Sequence, residues 1–201
     1  MQEESNPKKN RYDGLSEHDL NKSLLYSQLF LLMLAFIFSR IFFSEWFFVF
    51  SVLHWDFYEI LVYGGGSAFL IVGIQIALSK CVPRYWMEDD GLNERLFQNK
   101  GMIEIFCWVV CIAVIEEFLF RGVIQTQFGF WTAVCIFSIV HVRYLKKWLL
   151  LLILIGVSIL LGGVFEITEN LATTIFSHFI VDFFLILYAK KKVMQGRAED
   201  V

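Results

Sequence analysis

Six ionisable residues cluster inside otherwise apolar stretches of this 201-residue chain, and they define the chemistry open to it. Glu116, Glu117 and Arg121 stand in the run IEEFLFRG, His141 ends FSIVH, and His178 and Asp182 bound HFIVD. A charged side chain at mid-bilayer costs at least about 2.5–3.5 kcal/mol on insertion scales, so each of these groups needs a partner or a task. Glu117 and Arg121 are four apart, hence on one helical face, and are expected to form a buried ion pair that neutralises both. Glu116 lies about 100° further round the helix, away from that face, and is left as the unpaired carboxylate, a candidate general base. His178 and Asp182 are again four apart, so the carboxylate can fix the imidazole tautomer or share a water with it. Phe137 and His141 repeat the spacing and place an aromatic ring one turn from an imidazole.

Three chemistries suit such a set. Glu116 and His141 can take a proton from a water that attacks a carbonyl, with His178 and Asp182 stabilising the developing oxyanion. Glu116, His141 and His178 can instead ligate a divalent metal such as zinc that acidifies the water. The same groups can also form a proton or ion relay with no bond cleavage. HExxH, GxSxG and an ordered Ser/His/Asp set are absent from the sequence, so it leaves hydrolase and transporter open.

The elements that must position these residues are membrane helices. The chain is 57% hydrophobic and 18% charged with 22 Phe and 2 Pro, which is too apolar for a soluble surface and implies long unbroken apolar helices. Its net charge of −3 gives no global basic field for nucleic acid. Six stretches are long enough to cross a bilayer: Leu24–Phe43, Phe57–Leu78, Met102–Gln125, Phe128–Val142, Trp148–Leu161 and Leu171–Ala189. The segment Trp46–Trp55 reads as interfacial, residues 1–23 as a flexible polar tail and 190–201 as a basic, then acidic, tail. No cleavable signal peptide is expected, and the first span serves as an uncleaved anchor. Cys107, Cys111 and Cys135 read as small apolar core residues. Trp131 and Trp148 read as aromatic-belt residues.

Basic residues mark the inner side of a membrane. With six spans and both termini cytoplasmic, the inside segments hold 15 of the 17 Lys and Arg, leaving Arg40 and Arg121. The expected fold is therefore all-α, a polytopic six-helix bundle in which residues 24–101 supply two helices and 102–189 a four-helix core. Counting along the spans puts His141 near the inner boundary and Glu116 nearer the middle, which implies a water-filled cavity opening from the cytoplasm.

The order EExxxR, FxxxH, HxxxD over adjacent apolar spans resembles the CPBP family of intramembrane proteases, which contains CAAX prenyl endopeptidases and bacterial Abi or bacteriocin-processing proteins. The resemblance covers about residues 102–189. It implies that Glu116 activates water together with His141, that His178 and Asp182 form the oxyanion-stabilising pair, and that Glu117 and Arg121 support them. The last motif position is often Asn in the prenyl-protein branch; Asp182 would have to be protonated to donate to an oxyanion. The implied partners are a membrane-associated protein or peptide substrate and the lipid bilayer, the implied location a bacterial cell membrane, and a divalent metal an optional cofactor. The alternative is a non-catalytic immunity or scaffold protein, sensitive to packing at positions such as Gly156, or a proton-coupled transporter using the same buried Glu and His groups.

Overall fold

The computed structural model describes residues 14–44, 48–87 and 91–199, and these are helical throughout their ordered elements. Helix α1 (Glu17–Phe42) begins where the Ser16 side chain accepts from the Asp19 backbone N–H at 3.2 Å, a side-chain N-cap. Residues 17–23 therefore do not belong to a flexible tail: Leu20 is buried against Leu96, Phe97, Ile105 and Val109, which holds the first turns against the body of the protein. Residues 1–13 of that expected tail lie outside the described residues.

After α1 comes α2 (Phe48–Ser51), inside the expected interfacial segment, of which Trp46 and Phe47 lie outside the described residues. A π-helical stretch, Glu59–Gly64, runs directly into α3 (Gly65–Cys81), and two short helices follow, α4 (Arg84–Met87) and α5 (Leu92–Phe97). Helix α6 (Met102–Glu117) also passes without a break into π-helix, Phe118–Gln125, and then into one last turn, α7 (Thr126–Phe128). Gly129 at φ +86° ends that run, a backbone conformation that side chains resist, and starts α8 (Phe130–Val140). Helix α9 (Trp148–Thr168) and helix α10 (Leu171–Glu199) complete the chain.

Four of these helices are long and apolar enough to cross a membrane: Glu17–Phe42, Glu59–Cys81, Trp148–Thr168 and Leu171–Lys192. The third expected span is continuous helix built from α6 and its π-helical extension. The fourth is shorter than expected, since Gly129 breaks it at one end and His141, with ψ 53°, at the other. At 1.5 Å per residue its 11 residues cover about 16 Å, roughly half a 30 Å hydrocarbon core. The fifth is longer than expected. Gly162 does not end it but admits close packing, because a Cβ there would lie 2.9 Å from the Phe130 ring. Gly156, the expected packing-sensitive position, has nothing within 4 Å of a built Cβ, so that expectation is corrected.

Helix α10 packs against α3, α6 and α9, and α8 packs against α9. At one end of the bundle Arg95 donates to the Leu15 carbonyl, Lys190 Nζ to the Lys100 carbonyl at 2.6 Å, and Arg143 to Asn93 at 3.2 Å. The start of α1, the start of α6, the exit from α8 and the far part of α10 thus meet there, and they carry basic residues that the sequence groups on one side. At the opposite end Asn170, buried between α9 and α10, accepts from the Ala172 N–H at 3.0 Å and donates to Glu59 at 2.9 Å, while the Leu171 N–H donates to the Val52 carbonyl.

The outward faces are apolar, with Phe69 82% and Ile103 80% exposed, as contact with lipid tails requires. Cys107, Cys111 and Cys135 lie on those exposed faces, not in the core as expected, because the inward positions of α6 and α8 go to Ile105, Val109, Ala113, Ala133 and Phe137. Trp131 and Trp148 are exposed, the second against Trp86 with ring centroids 5.1 Å apart.

Candidate active site

The π-helical run Phe118–Gln125 is buried at every residue and carries Arg121 inward, while Glu116 and Glu117 close the preceding α-helix. The wider π turn leaves carbonyls without their ordinary helical partners, and the Thr126 hydroxyl donates to the Arg121 carbonyl at 3.1 Å. π-turns of this kind recur at functional sites.

Arg121 and Glu117 are fully buried and paired, Nε donating to Glu117 Oε2 at 3.3 Å, as their spacing implies. Arg121 Nη2 also donates to Ser158 of α9 at 3.2 Å, and the guanidinium lies over the Phe137 ring, 5.4 Å from its centroid. These contacts meet part of the guanidinium's bonding capacity, while Nη1 is buried with no hydrogen-bond partner among the described residues. The other Glu117 oxygen reaches across to α10, where His178 Nδ1 donates to Oε1 at 2.9 Å. His178 Nε2 faces Asp182 Oδ2 at 3.4 Å, the contact their four-residue spacing implies.

Arg121, Glu117, His178 and Asp182 thus form one line of charge-bearing groups across α6, its π-helical extension and α10. One end is closed and the other open: the Glu117 side chain is 0% exposed and that of Asp182 36%.

His141 lies at the end of α8, partly buried. Its Nδ1 is 2.8 Å from the Phe137 carbonyl oxygen. A carbonyl only accepts, so Nδ1 carries the proton, and in the neutral ring the Nε2 lone pair is the free one. The imidazole packs on Phe137 with centroids 4.6 Å apart and lies parallel to the Tyr144 ring. Phe137 is therefore the link between His141 and the Arg121 end of the charge line.

Glu116 is buried but takes no part in that line. Its Oε1 accepts from Gln28 Nε2 of α1 at 3.3 Å. Among the described residues no three of His, Cys, Asp and Glu lie close enough to hold a metal ion, so the ligand set Glu116, His141 and His178 is not assembled. Both nitrogens of His178 already face carboxylates, which leaves neither for a metal.

Two contributors escaped the sequence reading, Gln28 and Ser158. Neither is ionisable, so a search for charges in apolar spans passes over them; a lone amide in LLYSQLFLLML and a lone hydroxyl in LLILIGVSILL were the available signals.

The sequence model of the family described as type II CAAX prenyl endopeptidase Rce1-like matches residues 98–184, a segment that holds all three motifs. The uncharacterized protein YpbD of Bacillus subtilis (strain 168) is 39% identical to this chain over 130 residues, which is 64% of this chain and 69% of that protein. No solved structure matches the chain significantly. The motifs, the apolar helices and these likenesses agree: the chain is a multi-pass membrane protein that belongs to the Rce1-like family of type II CAAX prenyl endopeptidases, within the CPBP intramembrane proteases.

Proposed function

We propose that the protein hydrolyses a peptide bond of a membrane-associated protein or peptide in a bacterial cell membrane, using water activated by Glu116 and His141. Membership of an endopeptidase family makes peptide hydrolysis the expected activity, and the observation that supports a site built from these motifs is the Glu117–His178 hydrogen bond of 2.9 Å, made by the residue next to Glu116. It ties the first motif to the third and orients the His178 imidazole with its far nitrogen toward Asp182.

In this reading Glu116 and the Nε2 lone pair of His141 draw a proton from a water whose oxygen bonds to the carbonyl carbon. The negative charge moves to the carbonyl oxygen, where His178, as an imidazolium whose Nδ1–H is held by Glu117, turns its Nε2–H from Asp182 to the oxyanion. The carbon–nitrogen bond then breaks, the abstracted proton passes to the leaving nitrogen, and an acid and an amine are released. Arg121 neutralises Glu117 and so keeps the buried site from accumulating negative charge. No step calls on a metal.

The test is comparative terminal proteomics of cells carrying the wild type, Glu116→Gln, His141→Ala or His178→Ala. A membrane protein whose new terminus appears with the wild type and with none of the three inserted variants supports the reading. Full processing by Glu116→Gln overturns it.

A further inference from the structure

Helix α1 lies outside the segment that the family model matches, yet it places one polar side chain in the core of the proposed site. Its buried residues are Leu20, Gln28, Ala35 and Ser39. Gln28 is 6% exposed, its Nε2 donates to Glu116 Oε1 at 3.3 Å, and its own Oε1 is buried with no hydrogen-bond partner among the described residues. Burying an amide with half of its bonding capacity unmet costs free energy, and an apolar side chain on this face would avoid that cost. The amide orientation follows from chemistry, since an ionised carboxylate only accepts and Nε2 is the half of the amide that donates.

We propose that Gln28 is a positioning residue for the Glu116 carboxylate that takes the proton of the attacking water. The amide nitrogen holds one oxygen of the Glu116 carboxylate in place, which leaves the second oxygen to take the proton from the water. A carboxylate fixed in one orientation keeps its basic oxygen aligned with the proton it takes, which general-base attack needs. Helix α1 thereby becomes part of the catalytic apparatus, not only a membrane anchor. The inference rests on Glu116 acting as the base in the proposed hydrolysis.

The test uses full-length protein in vesicles of phosphatidylethanolamine and phosphatidylglycerol, and has two readouts. Infrared difference spectra report the Glu116 carboxyl band, identified by its loss in Glu116→Gln. Gln28→Met, an unbranched apolar replacement of similar length, displaces that band if the contact exists. In cells, the same variant lowers the rate of the new-terminus signal about 10- to 100-fold, the range expected when a reacting group is misplaced. Its thermal transition stays near that of the wild type. Should Gln28→Met fail to insert, Gln28→Asn serves, because it keeps the amide but withdraws it from Glu116.

A displaced band with slowed processing supports the role. An unmoved band, or a displaced band with processing at the wild-type rate, overturns it. Processing by Glu116→Gln at the wild-type rate overturns the hydrolytic reading and this role with it, whereas an inactive Glu116→Gln beside a fully active Gln28→Met overturns this role alone.

Discussion

Glu117 and His178, 61 positions apart in the chain, meet at 2.9 Å with almost no solvent between or around them. Through this contact the carboxylate that the sequence pairs with Arg121 also fixes an imidazole on another helix. One buried group therefore serves two neighbours, and removing it leaves both unmet.

Glu117→Gln is predicted to destabilise the protein by about 3–5 kcal/mol, the cost of leaving one member of a buried pair uncompensated. Arg121→Met should cost a similar amount alone. The double variant should cost much less than the sum, because no unpaired charge remains. Thermal or denaturant unfolding in detergent checks this; additive losses would mean that the two side chains do not interact.

Asp182 faces His178 Nε2 at 3.4 Å from the open side of the site. An Asn in its place both accepts through its oxygen and donates through its nitrogen, so Asp182→Asn should retain processing. Asp182→Leu keeps the size and removes both functions, and should lose processing at least tenfold. The rate at which the new terminus appears decides between them.

Gly162 and Gly156 lie on the same helix but differ in surroundings. A Cβ at Gly162 meets the Phe130 ring at 2.9 Å and Gln125 Oε1 at 3.1 Å, whereas one at Gly156 meets nothing within 4 Å. Gly162→Leu is expected to cost about 1–3 kcal/mol or more through overpacking. Gly156→Leu should be neutral within about 0.5 kcal/mol. Unfolding temperatures of the two purified variants provide the comparison.

The fold was legible where periodicity and composition act over a whole span. Each of the six apolar stretches forms helix over most of its length, and the Glu117–Arg121 and His178–Asp182 pairs meet as i,i+4 geometry requires. Four things were not legible. The start of α1 depends on one local cap at Ser16 and on distant burial of Leu20, which apolar-run counting does not register. The fifth span, bounded at Leu161 by its apolar run, continues as helix to Thr168, with Gly162 admitting a neighbouring ring. The bond from Glu117 to His178 depends on how α6 and α10 face each other, and spacing within one helix carries no information about that. The same holds for Gln28, whose partner Glu116 is 88 positions away.

The central claim is that Glu116 activates water for peptide hydrolysis, and the most direct measurement is isotopic. The membrane protein found to gain a new terminus is incubated with purified enzyme in vesicles prepared in ¹⁸O-labelled water, and the new carboxyl terminus is analysed by mass spectrometry. The account predicts one ¹⁸O in that terminus with the wild type and no cleavage with Glu116→Gln. Cleavage by Glu116→Gln at the wild-type rate, or a new carboxyl terminus without ¹⁸O, would contradict it.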